Sequence, residues 1–210
     1  MATPSKTALE KTAHSLVSPS CVLVTPEAAE QLADACDFVV LVIDMQKRFC
    51  AENIDLHPTC DKISSIIPKF RAAGCAIYGV YLPEQTLNDI TKTYERIAPP
   101  DFFNWTPDPS DEVLKKETGS ALRSGDTARK LEQSGRKNLL IIGFNTSACV
   151  QETVLDALNK KYEYNVFVVS DLTGDNFGEM TKNAALKEME QKGATVITSD
   201  RALKMFKISA

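Results

Sequence analysis

The run Phe38-Val39-Val40-Leu41-Val42-Ile43 constrains this chain more than any other segment. Six consecutive apolar residues, most of them β-branched, suit a strand buried on both faces, as at the centre of a parallel sheet. Such a strand needs helices above and below it. The same pattern recurs along the chain. Residues 76–82, 138–143, 165–170 and 194–198 read as strands, and 113–116 as a short one. Between them, apolar residues at helical spacing mark 60–73, 126–133, 148–160 and 177–192, with Gly74 ending the first. This alternation predicts an α/β chain: a three-layer α/β/α Rossmann-like fold with a mostly parallel sheet of about six strands. Ligands of such sheets bind at the carboxyl ends of the strands.

The flanking segments are less regular. Thr25-Pro26-Glu27 is a helix start, and that helix is expected to run to about Ala35. Residues 1–35 are therefore read as an N-terminal extension with one short helix, and 36–210 as the domain. Residues 83–110 are broken by Pro99-Pro100 and Pro107-Asp108-Pro109, with Phe102, Phe103 and Trp105 among them. A net charge of −4 over 210 residues argues against nucleic acid or an acidic membrane surface as partner, and an anionic ligand would need a locally basic site. No run is long and apolar enough to cross a bilayer, and no apolar core follows the first six residues, so a cytoplasmic setting is expected, with export by specialised machinery left open. The six cysteines are scattered and form no CxxC pair, as expected of reduced thiols.

The strand-end rule turns scattered polar residues into a candidate site. Asp44 directly follows the first strand, with Gln46 and Phe49 in the next loop. Lys116 follows Val113 and Leu114. Cys149 lies just beyond the strand at 138–143, at the start of the 148–160 helix, with Thr146 or Ser147 as its expected cap. There, exposed amides and the helix dipole would favour a thiolate. Asp44 would take the proton of Cys149 and later return it to a leaving amine. Lys116 would keep Asp44 ionised. The sulfur would attack a planar amide or carbamoyl carbon, and the backbone N–H groups of Asn145 and Cys149 would receive the oxyanion. Each residue has a plainer reading. Cys149 would be a small core residue, Asp44 a turn cap and Lys116 a solvated surface lysine. His14 and His57 fall away from these strand ends.

Three segments then carry a resemblance. Val42-Ile43-Asp44-Met45-Gln46-Lys47-Arg48-Phe49, Lys116-Glu117-Thr118-Gly119-Ser120-Ala121-Leu122 and Gly143-Phe144-Asn145-Thr146-Ser147-Ala148-Cys149-Val150 stand in the order seen in the isochorismatase-like cysteine hydrolases. That superfamily includes nicotinamidases, N-carbamoylsarcosine amidase and ureidoacrylate amidohydrolase. Thr153, Asp156-Ala157 and Val168-Val169-Ser170-Asp171 extend the match, which covers about 37–200. Leu122 replaces the usual aromatic residue of the second motif.

The resemblance implies Cys149 as nucleophile, Asp44 as general base, Lys116 as their electrostatic partner and a cis peptide between Phe144 and Asn145. Nicotinamidases carry a metal site of Asp and two His after the second strand. Here Tyr81-Leu82-Pro83-Glu84-Gln85-Thr86 has no His, so no metal and no other cofactor is expected. Cys149 also points away from vinyl-ether hydrolysis, because true isochorismatases lack that cysteine. The expected activity is C–N hydrolysis of a small amide, ureido or carbamoyl compound through a thioester-type intermediate. Phe49, Tyr81 and Trp105 would wall the substrate pocket, and Gln46 would orient substrate or water. For Trp105, packing with Phe102 and Phe103 in a satellite core or interface is the alternative. By resemblance a homo-oligomer is expected. The competing reading is a catalytically silent scaffold or regulatory binding protein on the same fold.

Overall fold

The computed structural model describes residues 34–87, 94–97, 101–123 and 125–208. Up to residue 33, the helix expected from Thr25 lies outside the described residues. Its expected end is instead a 3-10 turn, Ala35–Asp37, capped by the Asp34 carboxylate, which accepts from the Cys36 N–H.

Six strands form one parallel sheet: β1 (Phe38–Ile43), β2 (Ala76–Tyr81), β5 (Glu112–Lys115), β6 (Asn138–Phe144), β7 (Asn165–Gly174) and β8 (Thr195–Ile197). Their spatial order is β5-β2-β1-β6-β7-β8, and every neighbouring pair is parallel. Chain order therefore runs outward in one direction from β1 to β2 and β5, then reverses at β6. The crevice between β1 and β6 is the switch point at which such sheets bind ligands.

Helices α2 (His57–Ala72) and α6 (Ser199–Met205) cover one face of the sheet. The other face carries α3 (Gly125–Ser134), α4 (Gln151–Ala157) and α5 (Glu179–Gln191). The first strand explains the layering. Phe38, Val40 and Val42 pack with Ile63, Ile67 and Phe70 of α2, whereas Val39, Leu41 and Ile43 pack with Val154 of α4 and Met189 of α5. Side chains alternate between faces as in any strand, but both faces are dry, so the sequence shows no alternation of polarity.

The structure corrects several boundaries. The segment read as irregular holds an antiparallel hairpin, β3 (Glu84–Leu87) with β4 (Tyr94–Ile97), outside the main sheet. A one-turn helix α1 (Lys47–Cys50) follows the first strand. The 113–116 strand ends at Lys115, one residue before the lysine of interest. β7 runs to Gly174 rather than to residue 170, because its pairing with β6 shifts register between Ile141 and Gly143 and then resumes at Thr173. The helix expected over 148–160 is two elements: a π-turn over Thr146–Val150, then α4.

Candidate active site

Asp44 is the first residue beyond β1. Its N–H donates to Val80 O (2.9 Å), which continues the ladder for one more bond, and its backbone turns into the left-handed region (φ 49°). Aspartate tolerates that region better than most non-glycine residues. Next to it, Gly143 of β6 has φ 116°, and a methyl at its Cα would sit 2.1 Å from Ile43 O. Only glycine lets the two strands approach this closely at their carboxyl ends.

Lys116 stands at the end of β5, its N–H donating to Tyr81 O (2.8 Å). It is fully buried, unlike the solvated lysine of the plainer reading. Its ammonium meets Asp44 Oδ2 at 2.7 Å and donates to Gly119 O at 2.7 Å. Asp44 is itself only 1% exposed. A buried carboxylate and a buried ammonium each lose their hydration, so each requires the other. Burial raises the Asp44 pKa above the ordinary 3.8, while Lys116, the Cys149 thiol and, least, Arg48 pull it down.

Cys149 lies in the π-turn, half-buried against the α4–α5 side of the core. Its thiol lies near enough to the Asp44 carboxylate and the Lys116 ammonium for both to bear on its ionisation. The turn is tied down on several sides. Ala148 and Val150 donate to Asn145 O (both 3.1 Å). Thr153 Oγ1 donates to Cys149 O (2.7 Å) and accepts from Ala121 N–H (3.0 Å), which joins the second motif to the third. The Phe144–Asn145 peptide is cis. The N–H of Asn145, just past β6, has no hydrogen-bond partner among the described residues.

Two expectations for this turn are corrected. Neither Thr146 nor Ser147 caps the helix by its hydroxyl: Thr146 Oγ1 donates to Gly174 O (3.0 Å), and the Ser147 N–H is taken by Asp175 Oδ2 (2.6 Å). The Cys149 thiol is also not acidified. Burial and the neighbouring Asp44 charge push its pKa up to about 11, although Lys116 opposes them. The dipole argument fails here because the cysteine sits in a partly desolvated π-turn beside a carboxylate, not in an open first helical turn.

The other candidate residues divide in two. Gln46 is buried and engages the Leu82 backbone at both ends of its amide, donating to Leu82 O (3.0 Å) and accepting from Leu82 N–H (2.9 Å). Trp105 is buried over Gly79 and packs against Phe102, with ring centroids 4.7 Å apart. Phe49 and Tyr81 keep part of their surface exposed, Tyr81 standing edge-on to Phe102. His57 is held by Ala51 O and the Phe103 ring, and His14 lies outside the described residues.

Three residues escaped sequence reasoning. Asn176 donates from its backbone N–H and its Nδ2 to Asn145 Oδ1 (both 2.9 Å), and also from Nδ2 to Phe49 O (2.9 Å). With Asp175 it bolts the end of β7 to the cysteine turn and to the loop after β1. Arg48 lies within the first motif, its guanidinium 4.4 Å over the Phe49 ring. Among the described residues no group of three or more His, Cys, Asp or Glu side chains could hold a metal ion. None of the described helices is long and apolar enough to cross a membrane.

A parallel α/β sheet with a buried Asp–Lys pair and a cysteine at its switch point defines a class of protein. Within that class, the isochorismatase domain model matches residues 38–201, most of the chain, and the protein belongs to the isochorismatase family. It is 24% identical over 146 residues to a secreted isochorismatase effector of Verticillium dahliae, covering 68% of this chain and 75% of that one. To isochorismatase domain-containing protein 2 of Xenopus laevis it is 27% identical over 165 residues, covering 79% and 73%. Pyrococcus horikoshii pyrazinamidase, solved in complex with zinc, superposes with a TM-score of 0.64 at 23% identity, covering 77% of this chain and 99% of that one. At that identity the likeness speaks for the fold.

Proposed function

We propose that this protein is a metal-independent cysteine hydrolase that cleaves a C–N bond of a small amide, ureido or carbamoyl compound. The observation that carries the reading is the meeting of the Cys149 thiol with the buried Asp44–Lys116 pair at the sheet's switch point. Burial and the Asp44 charge push the thiol up to about 11, so it rests protonated at neutral pH and Asp44 has a proton to remove.

Burial makes Asp44 a stronger base than an ordinary aspartate and a usable acid afterwards. The sulfur attacks the planar carbon as Asp44 accepts its proton, and the oxyanion takes the N–H groups of Asn145 and Cys149. Asp44 then protonates the leaving nitrogen, the C–N bond breaks, and a thioester or thiocarbamate remains on Cys149. Water, giving its proton to Asp44, attacks that carbon and releases the product acid; the proton returns to sulfur. Lys116 holds the carboxylate in place throughout. A homo-oligomer acting on a free small molecule, with no nucleic-acid or membrane partner, belongs to the same reading.

Intact-mass measurement during turnover of a panel of small amides, ureido acids and carbamates tests it. The expected result is an acyl or carbamoyl increment on Cys149, absent together with turnover in Cys149→Ala. On the acid side, turnover is expected to fall with a midpoint above 3.8, the ordinary aspartate value. Unchanged turnover in Cys149→Ala would overturn the reading.

A further inference from the structure

Arg48 gives this site a charge that the hydrolytic machinery does not use. Asp44 and Lys116 neutralise each other at 2.7 Å, and the thiol is neutral below about pH 11. Arg48 is near enough to Asp44 to lower its pKa, yet that carboxylate is already paired. The guanidinium is exposed, lies 4.4 Å over the ring of Phe49, and donates from Nη2 to Leu82 O (2.7 Å) at the carboxyl end of β2. That oxygen is the one Gln46 also holds. Arg48 forms no ion pair with a carboxylate among the described residues, whereas its neighbour Lys47 is paired with Asp101 at 2.9 Å. Among the described residues the fork is thus fixed by a neutral carbonyl and an aromatic face, with no carboxylate paired to it. In a chain of net charge −4 this is a local basic point whose field reaches Asp44.

We propose that Arg48 reads a carboxylate on the substrate, so that the compound cleaved is a monoanionic amide or ureido acid and not a neutral amide. A planar guanidinium with one edge anchored presents its remaining N–H groups to a carboxylate in a matched geometry. One uncompensated positive charge fits one negative charge. A phosphate dianion would call for a second cation. The inference rests on the hydrolase reading for the position of the scissile bond, but its test does not require turnover.

Binding of two probes to full-length Cys149→Ala protein is measured by calorimetry: N-carbamoylglycine, and ethylurea as a neutral analogue of similar size. The carboxylate probe is expected to bind about 10-fold tighter or more, as charge-assisted hydrogen bonds warrant. That preference is expected to shrink as sodium chloride rises, to collapse toward unity when Arg48→Gln is added, and to survive in part in Arg48→Lys. Equal binding of the two probes, or a preference that persists in Arg48→Gln, would overturn the role of Arg48. If Arg48→Gln fails to fold, Arg48→Lys and the salt series decide: a salt-independent preference unaltered by the lysine overturns it. Absence of any covalent adduct on Cys149 in the wild-type protein would instead remove the hydrolase reading and leave the carboxylate site standing.

Discussion

The interior of the β1–β6 ladder and its carboxyl end, one residue further on, obey opposite rules. From Phe38↔Asn138 to Ile43↔Gly143 the register is unbroken, and Val39, Val40, Leu41 and Val42 are fully buried among apolar neighbours. One step later the chain buries a carboxylate in left-handed backbone, pairs it with a buried ammonium and presses glycine against a carbonyl. Burial of apolar area stabilises the first region by about 25 cal/mol per Å². Burial of ions in the second costs several kcal/mol before their attraction is counted. The comparison teaches that the apolar ladder offsets the cost of burying charge at its end, while the ion pair itself fixes how the Asp44 and Lys116 side chains meet.

The largest effect expected from breaking this contrast is at Lys116. Lys116→Ala leaves Asp44 buried without its partner, which is expected to destabilise the protein by about 3–5 kcal/mol in urea unfolding and to cut turnover about 100-fold or more. The double substitution Asp44→Asn/Lys116→Met, which removes both charges and keeps a residue suited to the left-handed backbone at 44, is expected to recover much of the stability and none of the turnover. Wild-type stability in Lys116→Ala would mean that the two regions do not differ as described. Next comes Gly143→Ala. Its methyl would meet Ile43 O, and its φ is unfavourable, so a loss of about 1–3 kcal/mol is expected, with reduced turnover because Asp44 follows Ile43 directly. The smallest effect sharpens the contrast from the other side. Ile141→Val, wholly within the dry interior, is expected to cost about 0.5–1.5 kcal/mol and to leave turnover as it was. A turnover loss there comparable to that of Gly143→Ala would erase the distinction.

What could be read in advance followed the same division. Strands of continuous apolar residues announce themselves, so the sheet, its layering and the three strand-end residues were legible before any coordinates. The hairpin was not, because Glu84-Gln85-Thr86-Leu87 has no apolar periodicity. Nor was α6, a short helix directly after the last strand. Asp175 and Asn176 read as ordinary loop residues, since their task is to bond backbone groups far away in sequence, and nothing local marks that. The Cys149 environment misled for a related reason. Its position next to a helix start is visible in the chain, but its partial burial beside Asp44 is a tertiary fact. Trp105 shows the limit from the other direction. An aromatic residue in an irregular stretch fits a pocket wall or a core equally well, and only packing on Gly79 reveals the contact it makes.

The pairing of β1 with β6 has a kinetic corollary. Asp44 and Cys149, the proposed base and nucleophile, follow adjacent strands whose paired residues are about a hundred positions apart in the chain. Contacts of such sequence separation form late relative to local ones. During refolding from denaturant, the sulfur and the carboxylate cannot meet until this central seam has zipped, so regained activity would time the docking of the chain's two halves.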